Sequence, residues 1–164
     1  HGVKVIFLDN VTCLVSHLTA TEINSEISTI GSELAAMCNE LGFTCFVFSH
    51  LNPPKTGAPH EEGGAVQEAQ FTGSRALMRF SQLMLGFERN KQAEDLNKNL
   101  SQIRLLKDRN FGQSGTIGTE YNPVTGRLTE RSPERYDPKN PFTIPVDGDD
   151  ESETKIPVDK DKPY

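Results

Sequence analysis

Two polar residues that each end an apolar run carry the first chemical signal in this chain. Val3 to Leu8 is continuously apolar except for Lys4 and stops at Asp9-Asn10. Phe43 to Ser49 is a second such run and stops at His50. Buried strands of a parallel sheet read this way, and ligands bind at their carboxyl ends. A carboxylate at that edge is suited to Mg²⁺, directly or through water, and an imidazole is suited to a hydrogen bond with a phosphate oxygen. Taken singly, a strand-terminal Asp that starts a turn and a His that caps a strand are the simpler readings. Two such residues ending neighbouring strands are harder to dismiss.

Further candidates lie downstream. Lys107 and Arg109 follow an apolar run in LLKDRNFG. A guanidinium fork suits developing phosphoryl charge, whereas a solvated basic strand end opposed by Asp108 is the plain alternative. Gly73-Ser74-Arg75 opens a short helix whose free N–H groups would attract anions such as DNA phosphates. Lys55 and His60 stand on the loop just before it. An ordinary capped helix after a surface loop explains this segment equally well.

The elements that must position these residues follow from periodicity. Ile23, Ile27, Ile30, Leu34, Met37 and Leu41 recur at three and four, so Glu22–Leu41 is expected to be an amphipathic helix. Thr19 and Glu22 offer a capping box at its start, and Gly42 a stop. A polar linker is expected between the first strand and this helix. Strand, helix and strand then make one right-handed parallel crossover. Residues 51–70, with Pro53, Pro54, Gly57, Pro59, Gly63 and Gly64, are expected to be a long, functional or mobile loop. A helix over Ser74–Gln82, strands at Leu83–Phe87 and Ile103–Leu106, and a hairpin of Thr116–Tyr121 with Arg127–Thr129 complete the reading. From Ser132 onward, Pro and charge leave too little apolar surface for the chain to order itself.

Composition narrows the function classes. Net charge is −6 over 164 residues, and residues 146–164 hold seven acids and three bases. Nucleic-acid contact must therefore come from a local patch. Cys13, Cys38 and Cys45 have neither metal nor disulfide spacing, which suits a reducing compartment. No signal peptide or membrane-spanning run is visible. His1 followed at once by a strand reads as a piece whose natural chain starts upstream. No G-x-x-x-x-G-K-[ST] loop, nucleophile elbow, H-E-x-x-H helix or paired-cysteine zinc pattern is present, so the phosphate-cradling part of a nucleotide site is missing.

In order, VIFLDN (5–10), VFSHLNPP (47–54), HEEGG (60–64), GSRAL (73–77), FERN (87–90), RLLKDRNFGQSG (104–115) and EYNPVTGRL (120–128) resemble the second half of the RecA-like motor domain of phage helicase-primase proteins. Single pieces are weak signals; the ordered set over residues 3–130 is a strong one. The resemblance implies an α/β fold that is the C-terminal part of a RecA-like P-loop ATPase. It would have a parallel-sheet core, a C-terminal hairpin and a disordered acidic tail, with a partial ATPase domain at 1–131 and the tail at 132–164. It implies a replicative, ATP- or dTTP-driven DNA helicase in a homo-oligomeric, hexameric ring, soluble in the cytoplasm of an infected host cell.

The family assigns roles to matching positions. Asp9 would associate with Mg²⁺, His50 would sense phosphate, and Arg109, with Lys107 beside it, would reach the nucleotide of a neighbouring subunit. Arg89 and Tyr121 would hold the base. Asn52, Lys55, Gly73, Ser74 and Arg75 would face single-stranded DNA. The acidic tail ending in Tyr164 would dock on the replicative DNA polymerase, with a solubilising tail as the simpler alternative. Departures are visible: Lys55 is the lone lysine of its loop, Asn10 stands where relatives often have His, Arg75 replaces a small residue, and Arg79 stands where some relatives have Gln. Alternatives from other classes are a non-catalytic RecA-like module docking on helicase or polymerase, and a recombinase- or clock-type relative.

Overall fold

β-Branched and aromatic residues in VIFL and TCFV favour extended backbone. A computed structural model, which describes residues 2–144, forms β1 (Val5–Leu8) and β2 (Thr44–Val47) from them. The two strands pair in parallel, with Val5 opposite Thr44 and Leu8 opposite Val47. Hydrogen bonds from Thr44 N–H to Lys4 O and from Phe48 N–H to Leu8 O, both 2.9 Å, extend the ladder at each end.

The segment after β1, expected to be a polar linker, contains one helical turn, α1 (Val11–Leu14). Asn10 explains it: its side chain accepts from Cys13 N–H and so satisfies a donor of the first turn. The long helix is α2 (Ala20–Leu41). At its start Glu22 reaches back to Thr19, accepting from its N–H at 2.9 Å and its hydroxyl at 2.6 Å. At its end Gly42 takes φ 67°, a left-handed conformation that costs glycine little. A shorter helix, α3 (Ser74–Phe80), packs on α2. The core lies here: Val11, Val15, Ile27 and Ala76 are buried, flanked by Leu8, Leu18, Ile23, Ile30 and Leu77.

The remaining strands correct the expected parallel core. β3 (Leu83–Arg89), β4 (Leu100–Asp108), β5 (Gly115–Asn122) and β6 (Arg127–Glu130) form a separate antiparallel sheet in sequence order. Among the described residues only β1 and β2 are parallel. The connections over residues 90–99, 109–114 and 123–126 are shorter than the dozen or so residues a parallel crossover needs. The protein is thus mixed α/β, with the hairpin of β5 and β6 as expected.

Two further segments pack against the antiparallel sheet. Residues 51–70 form the expected long loop and touch the rest of the fold at several points. Leu51 bridges to Phe71 and Glu62 to Asn90, and Lys91 N–H donates to Glu61 O at 2.8 Å. Val66 is buried, and its N–H donates to Glu88 Oε1 at 2.8 Å. Residues 132–144, expected to be disordered, are ordered. The Tyr136 hydroxyl is hydrogen-bonded to Gln102 Oε1 at 2.8 Å, as the donor, and to the Thr116 hydroxyl at 2.6 Å, and buried Arg131 donates to the carbonyls of Arg135, Pro141 and Thr143. One aromatic ring and one guanidinium anchor this polar segment as a strap over the sheet. The acidic run and Tyr164, and the roles expected of them, lie outside the described residues.

Candidate active site at the strand ends

Parallel pairing places the ends of β1 and β2 side by side, and with them Asp9, Asn10 and His50. Asn10 Nδ2 lies 3.2 Å from His50 Nε2. Val11 N–H donates to Phe48 O at 2.9 Å and holds the turn after β1 against the end of β2. Asp9 and His50 are exposed at this carboxyl edge. Among the described residues no cluster of three or more His, Cys, Asp or Glu could hold a metal ion. A lone carboxylate is nevertheless what Mg²⁺ requires when most of its ligands are phosphates and water.

His50 is tied to the start of α3 through backbone. Its carbonyl accepts from Thr72 N–H at 3.1 Å, and Ser49 Oγ donates to Thr72 O at 3.4 Å. Gly73 follows at φ 71°, buried against α2. A Cβ here would sit 2.7 Å from Ile27 Cδ1 and Cγ2, so the turn that opens α3 needs glycine for both conformation and space. The backbone of Ser74 begins the helix, and Arg75 is exposed on it. Asn52 and Lys55 are exposed further along; Asn52 O is a partner of the His60 ring at 3.2 Å. The structure therefore joins His50 to the Gly73 turn, while Lys55 stands apart on an exposed turn.

Lys107 and Arg109 meet at the other end of α3. Lys107 Nζ donates to Met78 O and, at 3.1 Å, to Ser81 O; the Arg109 guanidinium donates to Arg79 O. The last carbonyls of a helix lack intrahelical partners and carry partial negative charge, so cations settle there. Burial pushes the Lys107 amine below its ordinary range, and the charge of Arg109 adds to the effect. Arg109 is exposed.

Arg89 and Tyr121 share one face and one end of the antiparallel sheet. Arg89 is opposite Ser101, Ser101 is opposite Thr119, and Tyr121 is two residues beyond Thr119. Directly opposed residues, and residues two apart, point to the same face. Arg89 Nε donates to Lys98 O at 2.7 Å.

Two features were not foreseen in the sequence. One is Asn10, whose type at a strand end signals only a cap. The other is a charged network on the strap-covered face. Glu88, 2% exposed, accepts from Arg104 Nε at 2.6 Å, Arg104 Nη2 at 3.0 Å, and the buried Gln102 amide. The carboxylate holds the Arg104 guanidinium above its ordinary range, against the opposing effect of burial. The signal available was the sequence Met84-Leu85-Gly86-Phe87-Glu88, in which a carboxylate sits in register with Met84 and Gly86.

A mixed α/β chain with polar residues gathered at the carboxyl edge of a parallel pair is one of the architectures in which ligands bind at strand ends. Over 132 residues, 80% of its length, the chain is 36% identical to the DNA helicase/primase of Enterobacteria phage T3. It spans 23% of the length of that relative. The resemblance to phage helicase-primase proteins therefore holds over most of the chain. No family model matches.

Proposed function

We propose that this chain is the C-terminal portion of an ATP-dependent replicative DNA helicase, a RecA-like motor that moves along single-stranded DNA and unwinds duplex. The observation that carries this reading is the contact of Asn10, next to Asp9, with His50 at the carboxyl edge of β1 and β2, in a chain similar over 80% of its length to a phage DNA helicase/primase. ATP or dTTP with Mg²⁺ is the ligand that suits these groups. Asp9 would associate with Mg²⁺, which supplies charge neutralisation at the phosphates. His50 would meet the terminal phosphate, and Arg89 and Tyr121 would flank the base. Arg109 would leave the end of α3 to reach the nucleotide of a neighbouring subunit in a hexameric ring. Its exposure supports this, because only weak surface contacts hold it. Asn52, Lys55, Gly73, Ser74 and Arg75 would contact DNA phosphates, and the acidic tail ending in Tyr164 would dock on the replicative polymerase.

Exposed apolar side chains support the view that a further folded part covers this one. Phe7 and Phe46 stack at 5.0 Å on the open face of the parallel pair and are 66% and 45% exposed. Leu85, Phe87 and Ile117 are exposed on the antiparallel sheet. Contiguous patches of this kind mark interaction surfaces. They equally favour a second reading, a non-catalytic module that docks on helicase or polymerase.

ATP hydrolysis with and without single-stranded DNA separates the two. The chain alone is expected to be inactive. Mixed with a matching upstream half that carries the phosphate loop, it is expected to hydrolyse ATP. Association of the two halves without turnover would overturn the motor reading and leave the docking module.

A further inference from the structure

We propose that Asn10 is a positioning residue that fixes the neutral His50 ring with its hydrogen on Nδ1. A carboxamide has one accepting end and one donating end. The accepting end of Asn10 is already committed. Oδ1 takes the Cys13 N–H at 3.1 Å and the Thr12 hydroxyl, and with them the cap of α1. Turning the amide over would set its NH₂ against the Cys13 N–H, so Nδ2 must face the imidazole. Nδ2 can only donate. His50 Nε2, 3.2 Å away, must therefore accept through a lone pair. A neutral imidazole with its lone pair on Nε2 carries its hydrogen on Nδ1.

The backbone of His50 is held as well, by Thr72 N–H at 3.1 Å on its carbonyl, so the ring has a fixed base as well as a fixed partner. The nitrogen left free of Asn10 is an N–H donor. Such a group suits an anionic oxygen and does not suit a cation or another donor. That use toward a nucleotide phosphate rests on the motor reading above; the tautomer itself does not.

The tautomer is read directly from the ¹⁵N-labelled chain by long-range ¹H–¹⁵N correlation, without nucleotide and at a pH where the rings are neutral. Loss of signal in His50→Gln identifies the ring. The wild type is expected to show a protonated Nδ1 and an unprotonated Nε2. Asn10→Asp keeps an acceptor for the α1 cap but offers the ring only acceptors, and is expected to move the hydrogen to Nε2. Far-UV circular dichroism checks that the variant remains folded, and Asn10→Ser, which keeps a cap but is too short to reach the ring, is expected to give a mixture of tautomers. A wild-type ring protonated on Nε2 would overturn the assignment, as would an Asn10→Asp ring that keeps the wild-type pattern. With the upstream half present, Asn10→Asp is expected to slow DNA-stimulated turnover about tenfold, the effect of one charge-assisted hydrogen bond. A shifted tautomer with unchanged turnover would leave the positioning role standing and overturn its use toward phosphate.

Discussion

Glu88 and Arg104 form a two-point ion pair on the face of the antiparallel sheet that the strap covers. Nε lies 2.6 Å from Oε1 and Nη2 3.0 Å from Oε2, and the carboxylate is fully enclosed while the guanidinium keeps 31% exposure. Removing the guanidinium would leave a buried negative charge whose partners among the described residues are the Val66 N–H and the Gln102 amide. Arg104→Ala is therefore expected to destabilise the fold by about 2–3 kcal/mol, below the 3–5 typical of a fully buried pair. Urea denaturation followed by circular dichroism measures it, and an unshifted midpoint would refute the role. Arg104→Lys is expected to recover little, since one ammonium cannot replace the fork.

The start of α2 has a built-in pH dependence. The Thr19 hydroxyl, and then its N–H, hold the Glu22 carboxyl below its ordinary value of 4.5. Because the folded value is the lower one, the stabilisation is fully present above the unfolded value of 4.5 and is lost as pH falls through the folded value. Glu22→Gln is expected to melt earlier than wild type at pH 7, with the difference closing as pH falls below the ordinary carboxylate range and through the lowered folded value. A difference that persists in acid would show that the carboxylate is not the cause.

Gly73 joins the His50 end of the site to α3. Gly73→Ala puts a methyl group against Ile27 at a left-handed backbone position. Overpacking and backbone strain together are expected to cost about 2–4 kcal/mol. Chemical denaturation of the variant measures this, and an effect under about 0.5 kcal/mol would mean that the turn relaxes freely.

Arg109 separates structural from functional roles. In the isolated chain its guanidinium serves one exposed carbonyl of α3, so Arg109→Ala is expected to change stability by less than about 1 kcal/mol. In the complete motor the same change is expected to lower DNA-stimulated ATP turnover by on the order of 10³-fold or more. Turnover within about threefold of wild type would remove Arg109 from the reaction, given that trans arginines are worth so much more.

The strap is tested at Gly118. A Cβ there runs into the Tyr136 ring, whose hydroxyl is bonded to Gln102 and Thr116. Gly118→Ala is expected to release residues 132–144, with faster amide exchange there and on Gln102 than on α2. Uniform exchange across the chain would argue against a separable strap.

The sequence alone determined the elements whose cause is local. Ile23, Ile27 and Ile30 recur at helical spacing, Thr19, Glu22 and Gly42 bound the helix they define, and the hairpin turn at 122–126 follows from Asn122 and Gly126. It also located Asp9 and His50 at strand ends, because apolar runs end where the backbone leaves the sheet. Only the tertiary structure decided which face of each strand is covered. Leu83, Leu85 and Phe87 alternate as an inward face would, yet Met84, Gly86 and Glu88 are the buried set, because the strap and residues 59–66 pack on their side. Partners distant in sequence were likewise invisible. Asn10 with His50 and Glu88 with Arg104 depend on how strands align, and Lys107 with Met78 on where the end of α3 meets β4; side-chain period says nothing about either.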